Sequence, residues 1–166
     1  MDIPIQLFDN FLIIPIQALD VDPILELAFN EMDTTLQKAW VEGFDWNQWL
    51  RDLLSTLKDD QQVVFRIETI QNEFIGFLWL DHDFPILWIT SIVLKPTYQR
   101  KGLGTQIICK LEDYAESKGY NALQLGVQAI NPAIRFYQRL GFIETGKADY
   151  AGTILMRKDL LKKKKT

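Results

Sequence analysis

Hydrophobic and polar residues recur with two different periods along the chain, and these periods predict its elements. A helical pattern follows Asp22-Pro23 to about Met32, and a second follows Asp45, where Gln48 completes a variant of the capping box. The apolar run at residues 11–16 is too short to span a bilayer and predicts a buried strand. The N-terminal third should therefore contain one strand followed by two helices.

From residue 62 onward, β-branched and aromatic residues replace the helical pattern. Residues 63–67 and 74–80 predict a hairpin, with Asn72 available for its turn. Residues 86–94 are apolar on both faces, which predicts a strand in the middle of a sheet. Pro96 should end this strand, because proline cannot donate a hydrogen bond to a neighbouring strand.

The C-terminal half alternates between helices and strands. A helical period runs from Gly104 to Gly119, residues 122–127 predict a buried strand, and Asn131-Pro132 should begin a short helix that Gly141 ends. Two further strands are expected near residues 142–145 and 153–156. Helices placed between strands in this way predict an α/β or α+β fold with a mixed sheet.

Composition and charge narrow the classes of function. The 166 residues carry 18 Lys and Arg against 22 Asp and Glu, a formal net charge of −4, so we expect no nucleic-acid partner. The length predicts one domain, residues 1–161, followed by a basic, disordered tail at residues 162–166. Cys109 is the single cysteine and the first residues lack the positive segment of a signal peptide, which predicts a cytoplasmic protein without a membrane segment.

A glycine loop after the central strand is the most informative segment. Gln99-Arg100-Lys101-Gly102-Leu103-Gly104 connects that strand to an amphipathic helix. The glycines let backbone N–H groups approach a ligand closely, and the helix presents its unpaired N–H groups and positive dipole end at the same place. Arg100 and Lys101 add two cations, so the loop predicts a pyrophosphate site.

Two segments, in this order, resemble motifs of the GNAT superfamily of acetyltransferases. Val93-Leu94-Lys95-Pro96 followed by the glycine loop resembles its motif A, and Asn131-Pro132-Ala133-Ile134 with Tyr137 and Leu140-Gly141-Phe142 resembles its motif B. The resemblance covers about residues 86–143. It implies a sheet of six or seven strands with helices on both faces, whose fourth and fifth strands, here residues 86–94 and 122–127, splay apart to admit acetyl-CoA.

The resemblance also implies which residues bind acetyl-CoA. Backbone groups of Ile92, Val93 and Leu94 would contact its pantetheine arm, and the glycine loop would contact its pyrophosphate. Asn131 would contact the pantetheine amides, although a role as helix N-cap explains this residue equally well. The complete set is Ile92, Val93, Leu94, Gln99, Arg100, Lys101, Gly102, Leu103, Gly104, Thr105, Asn131 and Tyr137.

The chemistry implied by the resemblance is acetyl transfer by direct attack of a primary amine on the thioester in a ternary complex. Tyr137 matches the family's general acid, and its alternative role is that of a core aromatic. Where many members carry a glutamate base, the matching positions hold Trp88 and Gly126, and neither can accept a proton. His82, in the predicted loop Asp81-His82-Asp83, is the candidate base. A chain of water molecules is an open alternative for removing the proton, and the segment also suits a solvated turn.

The acceptor and the partners are less constrained. A small-molecule amine, a lysine or an N-terminal amine would serve, and the net negative charge mildly favours a cationic amine such as a polyamine. Aromatic residues around the second predicted helix should mostly be core, with one or two stacking on the substrate: Trp40, Phe44, Trp46 and Trp49. A homodimer is compatible with the family, and no metal site is expected from a single histidine and a single cysteine. The alternative function is a non-catalytic acyl-CoA-binding sensor.

Overall fold

The β-branched and aromatic segments pair into one eight-stranded sheet. The computed structural model describes residues 6–8, 10–40, 42–58, 63–148 and 152–160. Its strands are β1 (Gln6–Phe8), β2 (Phe11–Pro15), β3 (Val64–Thr69), β4 (Phe74–Asp83), β5 (Ile86–Leu94), β6 (Ala122–Gln128), β7 (Ile143–Lys147) and β8 (Thr153–Asp159). They are ordered β1-β2-β3-β4-β5-β6-β8-β7, with β5 and β6 parallel and the other neighbours antiparallel.

The predicted mixed sheet is confirmed, but it contains eight strands and not the six or seven expected. The additional strand is β1, a short segment that pairs with β2 at the edge of the sheet. The prediction that residues 11–16 form a buried strand is wrong in part. In β2 only Ile13 is buried, because this strand lies next to the edge and neighbouring elements cover less of it.

Four helices connect the strands: α1 (Val21–Ala39), α2 (Trp46–Thr56), α3 (Leu103–Ser117) and α4 (Ala133–Arg139). The Asp45 carboxylate accepts a hydrogen bond from the Gln48 N–H at 3.0 Å, which confirms the predicted N-cap of α2. α1 continues to Ala39 instead of ending near Met32, since Leu36 in its last turns is buried. No helix in these described ranges is both long and apolar enough to cross a membrane.

Helices cover both faces of the sheet, as predicted. α3 and α4 cover one face, where Ile107 and Leu111 pack in a cluster with Leu78, Leu87 and Leu123 of the sheet. α1 and α2 cover the other face with a separate cluster: Val21, Ile24, Leu27, Ala28, Leu53, Val64, Phe77 and Val93. The one-domain prediction for residues 1–161 stays a prediction, and the tail at 162–166 lies outside the described residues.

A bulge and an incomplete strand pairing shape the centre of the sheet. Trp79 pairs with Ser91 while Leu80 pairs with Ile89, so Thr90 is an extra residue on β5. The pairing of β5 with β6 covers only Ile86–Ile89 against Ala122–Leu125. Beyond this point each strand stays paired with its other neighbour, β4 or β8. The predicted splay is therefore present, and it begins at the bulge.

β4 is longer than predicted. The segment Asp81-His82-Asp83, expected to be a loop near the cleft, forms the end of this strand and pairs with Ile86–Trp88 of β5. The prediction fails because the polar residues at 81 and 83 suggest a turn, whereas pairing with β5 satisfies their backbone groups in an extended strand. The turn lies one step later, at Phe84-Pro85.

A group of three charged side chains fixes the start of α1 to the sheet. Arg66 Nη1 donates to Asp20 Oδ1 at 2.9 Å, and Nη2 contacts the Glu68 carboxylate. The side chains of Asp20, Glu68 and Arg66 are 5%, 1% and 22% exposed. Two buried carboxylates therefore depend on one guanidinium for their counter-charge.

The first prediction concerns this triad. Arg66→Met should lower the free energy of unfolding by about 3–5 kcal/mol, because it leaves two buried carboxylates without a cation. Urea denaturation followed by tryptophan fluorescence measures the loss. The control is Asp159→Asn, which breaks the pair of Arg157 with an exposed carboxylate and should cost less than about 1 kcal/mol. Equal, small losses for both variants would contradict this assignment.

Candidate active site

Two cavities that share part of their lining lie where β5 and β6 diverge. The basic cavity, of about 850 Å³, is lined by the loop at residues 99–105, by α1 and by α4. The aromatic cavity, of about 380 Å³, is lined by Trp40, Phe44, Trp49 and Trp88 together with the splayed strands. They share one wall: Met32, Leu36, Ile92, Val93, Gln128, Asn131, Ala133 and Tyr137. Ligands in the two cavities would meet at that wall.

Backbone conformation gives the glycine loop its shape. Gly102, at φ 82°, precedes the first residue of α3, and Arg100 also adopts a left-handed conformation at φ 58°. The N-terminus of α3 therefore faces the basic cavity together with Gly102, Gly104 and Thr105. A β-carbon at Gly104 would lie 3.2 Å from Cζ of Phe136, so this glycine also allows α3 and α4 to pack closely.

Gln99 ties the loop to its surroundings. Its side-chain amide donates to the Leu94 carbonyl at 2.8 Å and to Glu31 Oε2 at 2.9 Å. One side chain thus connects the end of β5, the loop and α1. We assign Gln99 to holding the loop in place, in addition to lining the cavity.

Most of the predicted cofactor residues lie together. The basic cavity is lined by ten of them: Ile92, Val93, Leu94, Gln99, Arg100, Gly102, Gly104, Thr105, Asn131 and Tyr137. Lys101 and Leu103 do not line it. The Lys101 ammonium lies 6.0 Å from the centre of the Tyr98 ring, and the Leu103 side chain is buried in the core. For Leu103 only backbone groups remain candidates for ligand binding, whereas the exposed Lys101 stays a predicted ligand contact.

Two arginines of the basic cavity were missed by the sequence analysis. Arg135 and Arg139 lie one helical turn apart on α4 and line the cavity together with Arg100. Glu31 is the carboxylate in the described lining, and it is already hydrogen-bonded to Gln99. The i, i+4 spacing of Arg135 and Arg139 on a predicted helix was the sequence feature that could have indicated a shared basic surface. Three guanidiniums near a helix N-terminus fit a ligand that carries several phosphates, such as acetyl-CoA.

Tyr137 lies on the wall shared by both cavities. Its ring packs edge to face on Phe136 and Phe142, with centroid distances of 5.1 and 5.6 Å. The residue as a whole is half-buried, and burial of its phenol raises the pKa to about 12. The phenol therefore keeps its proton at any physiological pH, so that it can act as a hydrogen-bond donor.

The side-chain oxygen of Asn131 has a structural role. This Oδ1 accepts a hydrogen bond at 2.9 Å from the N–H of Ala133, the first residue of α4. The predicted N-cap is off by one residue, since Pro132 lies at the N-cap, but Asn131 still pairs with a backbone donor of the first turn. Asn131 also lines both cavities, and because Oδ1 serves the helix, a ligand contact would use the Nδ2 donor.

His82 is not brought to the cleft. Its Nδ1 lies 2.7 Å from the Tyr120 hydroxyl, just after α3, and the residue does not belong to the lining of either cavity. Burial lowers the pKa of His82, a shift that Asp81 partly opposes. Because side chains alternate along β4, His82 lies on the face of the sheet that α3 covers, next to Tyr120 and away from the cleft. We do not assign a base role to His82.

The aromatic cavity owes its walls to the segment between α1 and α2. Gln37 accepts the Phe44 N–H at 3.1 Å, and Asp33 accepts the Trp46 indole N–H at 2.7 Å. Phe44 in turn packs on Trp40 and Trp46 with centroid distances of 5.3 and 4.9 Å. Of the four predicted aromatics, Trp40, Phe44 and Trp49 line the cavity. Trp46 does not line it but packs on Phe44 and Trp49.

No cluster of three or more His, Cys, Asp or Glu side chains in the described part of the chain could hold a metal ion. The groups that line the cleft and could bind a ligand are backbone N–H groups, arginines and aromatic rings. The Ile92–Leu94 stretch of β5, which borders the splay, belongs to this set.

The sequence as a whole matches a known family. A model of the acetyltransferase (GNAT) family aligns with residues 25–142, which include both cavities' central elements. This chain is a member of the GNAT acetyltransferase family.

Two curated relatives of this GNAT chain are N-acetyltransferases. An uncharacterised N-acetyltransferase of Methanocaldococcus jannaschii is 30% identical over 133 residues, 75% of this chain and 57% of the relative. The ribosomal protein bS18-alanine N-acetyltransferase of Escherichia coli is 40% identical over 73 residues, 43% of this chain and 49% of the relative. The alignments thus span about half the length of these relatives.

A solved structure has the same fold. The PaiA N-acetyltransferase of Thermoplasma acidophilum, in complex with coenzyme A, has a TM-score of 0.70 at 20% sequence identity. The superposition covers 90% of this chain and 98% of that chain. This likeness shows the fold, and the family match over residues 25–142 confirms the resemblance seen in motifs A and B.

The second prediction tests the arginines of the basic cavity. Arg135→Glu combined with Arg139→Glu should weaken acetyl-CoA binding at least tenfold, because two attractive charges become repulsive. Isothermal titration calorimetry measures the dissociation constant. Lys118→Glu, an exposed charge reversal at the other end of α3, is the control and should bind like the wild type. Unchanged affinity in the double variant would contradict the assignment of the α4 arginines to the binding site.

Proposed function

We propose that this chain is an acetyl-CoA-dependent N-acetyltransferase that acts on a primary amine by direct attack in a ternary complex. The observation that carries the proposal is the wall shared by the two cavities, which joins a basic cavity suited to phosphates to an aromatic cavity free for a second ligand. Direct transfer needs both substrates bound together with their reacting atoms in contact. Membership of the GNAT family supports the same reaction.

Acetyl-CoA would supply an electrophilic thioester carbonyl and a thiolate leaving group. Arg100, Arg135 and Arg139, with the N-terminus of α3, would hold its phosphates. The backbone groups of Ile92–Leu94 that point toward β6 would hold its pantetheine arm and donate to the thioester oxygen. In the transfer, the amine nitrogen forms a bond to the carbonyl carbon, the carbon–sulfur bond breaks, and one amine proton is lost while the thiolate gains one.

Tyr137 would donate toward the leaving sulfur. Because its pKa is about 12, complete transfer of its proton to a thiolate of ordinary pKa, about 8.5, is uphill by roughly 3.5 units. The phenol therefore acts mainly as a hydrogen-bond donor to the developing charge. If the phenol gives up its proton, the proton released by the amine restores it.

Proton removal from the amine is the remaining requirement. An amine of pKa about 10.4 costs roughly 4.6 kcal/mol to deprotonate at pH 7. Trp88 and Gly126 both line the aromatic cavity and neither can act as a base. Asp81 is exposed and lies opposite Trp88 in the strand register, outside the lining. We infer that water removes the proton.

The lack of a base in this lining also supports an alternative, a non-catalytic domain that binds acyl-CoA as a sensor. A sensor needs the basic cavity but makes no use of the Tyr137 hydroxyl. The proposal extends to a cytoplasmic location and to a homodimer.

The third prediction separates enzyme from sensor. Tyr137→Phe should lower kcat on the order of 100-fold, because the donor to the leaving thiolate is lost, while the acetyl-CoA dissociation constant changes less than about twofold. Release of CoA, detected with a thiol reagent, and calorimetry measure the two quantities. The wild-type rate should show no descending limb between pH 6 and 10, since Tyr137 stays protonated. Unchanged turnover in the variant would contradict the assigned role.

A further inference from the structure

We infer that the acceptor is the α-amino group of a residue whose carboxyl group is blocked, as in a peptide or an amino-acid amide, and whose side chain is large and apolar or aromatic. The inference rests on the proposed acetyl transfer and names the substrate class of the same site. It follows from the described lining of the aromatic cavity, which is aromatic and uncharged, whereas that of the basic cavity carries three arginines.

The walls of the aromatic cavity are apolar on two sides. Trp40, Phe44 and Trp49 come from the α1–α2 region, and Trp88 comes from β5. Aromatic rings offer a large apolar area with little conformational freedom to lose, which suits the side chain of a small ligand. At about 380 Å³ the cavity is near the lower end of the range for ligand pockets, so one terminal residue is the expected occupant.

Charged side chains are absent from the described lining of this cavity. Its polar groups are neutral: Thr90, Ser91, Gln128, Asn131, Tyr137 and Thr153. A polyamine would bury further ammonium groups there without a carboxylate partner, and a free amino acid would bury a carboxylate without a cation. This inference therefore differs from the mild preference for a polyamine that the net charge of −4 suggests. A blocked carboxyl group avoids both costs.

Because the described lining of this cavity offers no base, an amine with a low pKa is favoured as the acceptor. An α-amino group next to a carbonyl has a pKa of about 7.7–8.0, so on the order of one tenth of it is neutral at pH 7. A lysine-type amine is neutral on the order of one part in 2,500 under the same conditions. The α-amine therefore reaches the thioester ready to attack, and its lost proton passes to water.

A panel of amines tests the two features separately at pH 7. Phenylalanine amide has both an aromatic side chain and an amino group of low pKa. Alanine amide lacks the ring, and phenethylamine lacks the low amine pKa. Free phenylalanine carries a carboxylate, and spermidine is a polycation. We expect kcat/KM for phenylalanine amide to exceed each of the others at least tenfold. Its kcat/KM should rise with pH and level off near the pKa of the amine itself.

Variants connect this preference to the cavity. Phe44→Ala should reduce the advantage of phenylalanine amide over alanine amide about tenfold, with the acetyl-CoA-induced rise in Tm unchanged. Trp88→Glu places a carboxylate in the lining and should improve kcat/KM for spermidine while lowering it for phenylalanine amide. The matched control is Phe84→Ala, which removes a 68% exposed ring at the β4–β5 turn and should leave all five rates unchanged.

The outcomes distinguish this inference from the proposed function. If spermidine or free phenylalanine is the best substrate, the substrate class is overturned and acetyl transfer stands. If acetyl-CoA raises Tm but no amine releases CoA, acetyl transfer is overturned, and a fluorescence titration of phenylalanine amide into the CoA-loaded protein then decides the ligand. Saturable quenching that Phe44→Ala abolishes would support the ligand class, and an unchanged signal would overturn it.

Discussion

Incomplete pairing between β5 and β6 is the constraint on which the rest of the site depends. In the interior of a sheet nearly every backbone N–H and C=O has a strand partner. Beyond Ile89 and Leu125 the two parallel strands no longer pair with each other, so the backbone groups that face the gap are free to pair with a ligand. The extra residue Thr90 marks the point at which β5 turns away. The gap itself is thus part of the sheet, and the glycine loop and the segment between α1 and α2 complete the walls of the cleft.

The elements on the two faces of the sheet contribute different parts of the cleft. The α3 face supplies the glycine loop, and α4 supplies Tyr137 and two arginines, so that in the proposed complex one side would hold the phosphates and the reacting sulfur. The opposite face supplies α1 and the aromatic wall. The buried charges of Arg66, Asp20 and Glu68 fix the start of α1 on that face, and thereby its position relative to the cleft.

Much of this arrangement could be predicted from local sequence, and the exceptions have physical causes. The boundaries of β5, the Asp45 cap and the glycine loop follow from local patterns and are all present. The end of β4 was mispredicted because the polar residues before a two-residue turn suggested a loop, although their partners in β5 are close in sequence. The position of His82 depends on packing against Tyr120, which is distant in sequence. The same applies to Arg135 and Arg139, whose shared cavity exists only once α4 packs beside the loop.

Thermal unfolding with and without acetyl-CoA tests the central claim, that the splay and its basic cavity bind this thioester. At about 100 times its dissociation constant, acetyl-CoA should stabilise the native state by about 2.7 kcal/mol and raise Tm by roughly 5 °C or more. Arg100→Glu should reduce this rise at the same concentration, since it reverses a charge in the lining. An unchanged Tm of the wild type in millimolar acetyl-CoA would contradict the account.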